Sequence, residues 1–312
     1  WFYVMVVVTV LLFTELKHTF TELAQRMKND EMITLAKFLA ISGIILPMLP
    51  NENLIPDINL TPYTVWLATV VGSGISYLSY LLRRYVFHES GILVSGIIGG
   101  LYSSTATISV LARKSRKAPA QEAPEYAAAM LLAVSMMFLR FLILIGIFSK
   151  AILAEIYPYL LIMSFVTAGV AWYLHRKRKS IPVTGEEAEE EDSSNPLEFK
   201  VALIFAVLFV IFTIVTHYTL IYTGTGGLNV LSFIAGLSDI TPFILNLLQG
   251  SGVAVVVVTA CCMQAIVSNI AVNMCYALFF AGGKSPLRRW VLRGFGGVIA
   301  VNVCLLLFFY LL

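Results

Sequence analysis

Apolar positions along the chain gather into runs of about twenty, set apart by short polar or charged stretches. In order, these runs predict helices over 1–14, 32–49, 62–82, 90–112, 122–148, 151–174, 197–218, 228–249 and 253–280, and a last one ending at Leu312. Runs of this length span ~30 Å of hydrocarbon when coiled as helices. The alternation of a membrane barrel is absent. The pattern predicts an all-α polytopic membrane protein.

Two of the runs are interrupted. Gly99-Gly100-Leu101-Tyr102-Ser103-Ser104-Thr105-Ala106-Thr107 lies within one, and Ala235-Gly236-Leu237-Ser238-Asp239-Ile240-Thr241-Pro242-Phe243, 136 positions later, within the other. Each has Gly-Leu followed by hydroxyl, carboxyl or Pro residues that break a helix. At that offset Gly91 meets Gly227, Gly100 meets Gly236, Leu101 meets Leu237, Thr105 meets Thr241, Ile108 meets Ile244, Leu111 meets Leu247 and Ser115 meets Ser251. The chain reads as two related halves, each with one broken helix.

The positions of the cations orient these elements, because short Lys/Arg-rich loops stay in the cytoplasm. Arg83 and Arg84 precede the first broken run and Arg113, Lys114, Arg116 and Lys117 follow it. A full crossing between the two clusters would put one of them outside. A segment that dips into the bilayer and returns keeps both inside. The same choice for the second broken run, between cation-free loops at 219–227 and 250–252, leaves 175–196 and 284–293 inside and the Lys150 loop outside. The expected fold is then an inverted structural repeat, each half with three spanning helices and one broken, re-entrant helix. The segments are an amphipathic connector within 1–29, an extra span and outer loop at 30–61, a first repeat at 62–179, an acidic disordered cytoplasmic linker at 180–196 and a second repeat at 197–312.

Non-helical backbone at membrane depth is tolerated only where protein or a water-filled cavity satisfies it, so two facing breaks point to a midplane site. Ser103, Ser104 and Thr105 are suited to capping the first returning half-helix, and Asp239 the second. Freed carbonyls around Gly99 and Ala235 can hold a cation; helix N-termini and hydroxyls can hold an anion or polar solute. Arg140 and Asp239 are the clearest intramembrane charges, each costing roughly 2.5–3.5 kcal/mol to insert, and they are expected to pair as a gate or a structural lock. Asn269 and Asn273 share a helix face and either line the cavity or join helices. The expected pathway residues are Gly99, Gly100, Ser103, Ser104, Thr105, Thr107, Gly236, Ser238, Asp239, Thr241, Asn269 and Asn273.

Composition agrees: the 312 residues are 59% hydrophobic, against roughly 45–50% for a soluble domain. Cys261, Cys262, Cys275 and Cys304 lie in apolar runs without metal-ligand spacing and read as small hydrophobes. No triad, nucleophile elbow or phosphate loop is present, so neither an enzyme nor a cofactor or metal is expected.

The Gly100–Thr107 element with its Ala112-Arg113-Lys114 tail resembles the first signature of the DUF4010 membrane domain. Met137-Phe138-Leu139-Arg140, Asn195-Pro196-Leu197-Glu198 and Ala235-Gly236-Leu237-Ser238-Asp239 resemble its later ones. The resemblance covers about 30–312. It implies that 1–29 ends an upstream MgtC/SapB-type membrane region. Thr241 stands where the family often has a second acid, and Asn273 near a family Lys. The family carries no settled activity, and its association with MgtC implies a regulatory alternative.

The expected function is a membrane transporter or channel for an ion or small polar solute. The alternative is an MgtC-like regulatory or scaffold protein acting through protein–protein contacts. Expected partners are the lipid bilayer, the solute, and a second copy or another membrane protein, with no nucleic acid. The expected location is a bacterial or archaeal plasma membrane.

Overall fold

The computed structural model describes residues 7, 11, 14, 29–53, 58, 60–81, 91–177, 199–249, 253–283 and 285–311. The amphipathic connector, Arg83, Arg84, the 180–196 linker and Gly252 lie outside the described residues. Two compact units divide at Leu49/Pro50. The described part of the first is α1, Asn29–Ala40, continued by a wide π-type turn at Ile41–Ile45 and a last turn at Leu46–Met48. Pro47 accounts for the widening: its ring crowds the carbonyl four residues back, at Gly43, which lies inside the wide turn.

The second unit is built of helices among the described residues, apart from a single bridge at Ile58: α2 Pro62–Leu81, α3 Ile92–Lys114, α4 Ala123–Phe148, α5 Lys150–Arg176, α6 Phe199–Ala235, α7 Ile240–Leu248, α8 Val255–Ala281 and α9 Leu287–Leu311. Pro62 opens α2, and the Thr61 hydroxyl accepts from the Thr64 N–H at 3.1 Å, an N-terminal cap. Ser149 alone joins α4 to α5 and caps the latter through Ile152. The six helices from α3 to α9, α7 excepted, are long and apolar enough to cross a membrane by length and composition. Large apolar side chains such as Ile143, Phe165, Ile211, Phe279 and Phe308 face outward, as a lipid-facing perimeter requires. The protein is an integral, polytopic membrane protein.

Two helices are interrupted. Ser103 leaves the helical region of backbone space (φ −157°, ψ 109°) and divides α3 into α3a, 92–102, and α3b, 104–114. A Cβ on Gly99 would run into the Thr107 side chain, eight residues on. In a continuous helix those positions are about 12 Å apart along the axis, so α3a and α3b lie side by side. Gly96 sits on the Ala129 backbone, Gly100 on that of Ala133, and the Ser104 hydroxyl meets the Met137 sulfur at 3.6 Å. These pairs advance together, so α3a runs parallel to α4, and small residues allow the close approach.

Gly224 (φ 64°, ψ −155°) divides α6 into α6a, 199–223, and α6b, 225–235. The outer loop expected over 219–227 is therefore helical apart from one kink: a glycine at positive φ turns the chain without a loop. Asn229 accepts from Cys261, the Phe233 carbonyl accepts from Ser268, and Gly236 lies against Ala265 and Ser268. Thus α6b runs parallel to α8 as α3a does to α4. At one end of the unit Arg116 donates to the Phe279 carbonyl at 3.3 Å and Arg113 stacks on Phe280, so the start of α4 lies beside the end of α8.

Candidate functional site

A cavity of about 350 Å³ lies where the two breaks meet. Its wall includes Ser103, Ser104, Thr105, Arg140, Ser238, Asp239, Thr241 and Asn269. Those eight residues were all singled out in the sequence. Gly99, Gly100, Thr107, Gly236 and Asn273 do not line the cavity. The four from the two breaks shape its surroundings: Gly99 accommodates Thr107, Gly100 admits the Ala133 backbone and Gly236 lies against α8. Asn273 is fully buried and donates to the Asn269 Oδ1 at 3.1 Å.

Each break is held by caps its own sequence supplies. The Ser103 hydroxyl accepts from the Ala106 N–H at 3.3 Å and starts α3b. The Asp239 carboxylate accepts from the Thr241 N–H at 3.0 Å and starts α7, with Pro242 in the first turn. Both N-termini therefore face the cavity, each with a partial positive charge of about half a unit.

Arg140 reaches both tips. Its guanidinium donates to the Tyr102 carbonyl at 2.9 Å, at the end of α3a, and to the Thr241 hydroxyl at 3.3 Å, in the first turn of α7. The expected ion pair with Asp239 is not formed among the described residues. Asp239 turns to the Thr241 N–H of α7, and the two charges act on each other through space. The reason is local: the broken α3a end leaves a carbonyl that a guanidinium satisfies well, and the new N-terminus claims the carboxylate.

The Ala235 carbonyl, expected to be free, is also taken. Ala235 O accepts from the Ser238 N–H and hydroxyl, both at 3.1 Å. Gly236 O and Ser238 O accept from the Asn269 amide at 3.2 and 3.4 Å. In the first half the Tyr102 carbonyl, at the end of α3a, is taken by Arg140. Asn269 thus both joins helices and lines the cavity. No cluster of three metal-ligating side chains occurs among the described residues.

Gly72 and Ser73 of α2, Phe205 of α6a and Tyr276 of α8 also line the cavity. The Gly72-Ser73-Gly74 triplet inside an apolar run was the available signal for the first two. Phe205 and Tyr276 carry none, because aromatic residues are common throughout the apolar runs.

A family model described as a domain of unknown function, DUF4010, matches residues 70–281. An uncharacterised protein of Aquifex aeolicus (strain VF5) is 26% identical over 201 residues, covering 62% of this chain and 84% of the relative. No solved structure matches.

Proposed function

The chain belongs to the DUF4010 family, and from that premise we propose that it is a transporter or channel for an ion or small polar solute. The observation that carries this reading is the cavity between two broken helices, walled in part by charged and hydroxyl groups and bridged by Arg140. Each broken helix runs beside a spanning helix as far as its middle and turns back there. The start of α4 lies by the end of α8, so we read the two hairpins as entering the bilayer from opposite faces, an inverted repeat with two re-entrant segments. Half-helices that meet near the midplane, with charged and hydroxyl groups around a cavity, suit desolvated passage of a small polar species.

In this reading Arg140 is the coupling residue between the tips, and Asp239 supplies the countercharge. Ser103 and Ser104 are structural rather than nucleophilic: one caps a helix and the other rests on Met137. The basic end, with Arg113 to Lys117, Arg176 and Lys177, faces the cytoplasm of a bacterial cell.

The test is flux through purified protein in liposomes, with sodium, potassium, chloride, nitrate and urea as probes. Asp239→Asn is the informative variant, because Asn caps a helix about as well as Asp while removing the charge. Flux of at least one probe above empty liposomes, abolished by Asp239→Asn at unchanged thermal stability, is expected. Absence of flux for every probe overturns the reading.

A further inference from the structure

We propose that the seam between α6a and α7 is the outer limb of the pathway, a polar vestibule hydrated from the face opposite Arg113 and closed in this structure above the cavity by aromatic rings. The inference rests on the transport reading and adds where the solute enters or leaves.

The seam holds buried polar atoms that have no partner among the described residues. Thr216 is 3% exposed and Asn246 8% exposed. The Asn246 amide nitrogen donates to the Thr213 hydroxyl at 2.5 Å, but its Oδ1 has no partner. Neither does the Thr216 hydroxyl, nor either polar atom of the Gln249 amide. A helical Thr or Ser ordinarily satisfies itself on the carbonyl four residues back. Thr213 does so on Phe209, Thr69 on Val65 and Ser232 on Leu228. Thr216 does not. Unsatisfied groups at membrane depth are costly, and contact with water relieves that cost.

Their register makes one continuous strip. Asn246, near the end of α7, and Gln249, the residue that caps that end, lie three apart on one face of the helix. Thr213 and Thr216 are likewise three apart on α6a. Both helices run outward from the cavity, so the Thr213–Asn246 contact sets Thr216 and Gln249 about one turn further out.

Between this strip and the cavity lies an apolar layer. Phe212 of α6a and Phe243 of α7 meet edge to face with centroids 5.4 Å apart, and Phe209 is 2% exposed. Phe205, one turn below Phe209, lines the cavity itself. The first half has no matching strip. At the offset of 136, Val110 stands for Asn246 and Arg113 for Gln249, and Arg113 is stacked on Phe280 at the opposite end.

The test is thiol accessibility in the full chain, with Cys261, Cys262, Cys275 and Cys304 replaced. Single variants Thr216→Cys, Asn246→Cys and Thr213→Cys are exposed on intact cells to a membrane-impermeant sulfonated thiosulfonate. Unreacted thiols are then counted with a fluorescent maleimide in detergent. Leu245→Cys, fully buried on another face of α7, is the control. Modification at least about tenfold faster at Thr216→Cys and at one of the other two seam positions than at Leu245→Cys is expected, because reaction needs a hydrated thiolate. Three seam positions as slow as the control, or reactive only in inside-out vesicles, overturn the outer vestibule. That result leaves the transport reading to the flux assay, which needs none of these variants.

Discussion

Gly96 and Gly100 show how single residues set the geometry of this protein. A Cβ on either would enter the backbone of Ala129 or Ala133, which cannot swing aside as a flexible side chain can. Gly100→Leu is therefore expected to destabilise by about 1–3 kcal/mol or more, read as a lower melting temperature in detergent. Gly169→Ala in α5, where nothing lies within 4 Å, is expected to be neutral or to stabilise by about 0.4–1 kcal/mol. Arg140 makes a second test at this scale. A lysine carries one compact charge and cannot reproduce a planar fork that donates to both Tyr102 and Thr241. Under the transport reading, Arg140→Lys lowers flux about tenfold or more, the equivalent of one lost charge-assisted bond.

At the scale of elements, each broken helix is a balance of freed backbone groups and the side chains that satisfy them. Asn269 serves two carbonyls of the second break through one amide nitrogen. Asn269→Leu would leave both without that partner, at a cost of about 1–3 kcal/mol measured by thermal unfolding. The kink at Gly224 has a different origin. Its φ of 64° and ψ of −155° belong to a region that L side chains avoid. Nothing surrounds a Cβ there, so Gly224→Ala tests conformation alone. It is expected to destabilise by about 1–3 kcal/mol, with the loss visible in the same unfolding assay.

For the whole molecule, the charge pattern and the helix contacts make one prediction about sidedness. Arg113 and Arg116 meet the end of α8, and Gly294 near the start of α9 lies against Leu131 of α4 and Leu174 of α5. The basic clusters at 113–117, 176–177 and 288–293 therefore belong to one end of the unit, with Lys150 at the other. Reporter tags inserted after Lys117 and after Gly283 should both report cytoplasm, and one inserted at Lys150 the outside. Tags at Lys117 and Gly283 on opposite sides would remove the inverted arrangement.

By itself the sequence determined the helical segments, their apolar faces and the two points of interruption. Those are local properties: run length matches hydrocarbon thickness, and Ser103, Asp239 and Pro242 act within a turn of where they stand. Eight cavity residues were legible for the same reason, because hydroxyl, amide and charged groups are conspicuous in an apolar run. Only the tertiary structure decided which partner each freed group takes. Arg140 goes to Tyr102 and Thr241 rather than to Asp239, and the Ala235, Gly236 and Ser238 carbonyls go to Ser238 and Asn269. Such choices depend on how helices far apart in the chain come together, and a hydrogen bond is satisfied by whichever donor arrives within about 3 Å. The Gly224 kink was hidden likewise: glycine permits a positive φ without requiring it, and the nearby Gly226 and Gly227 stay helical.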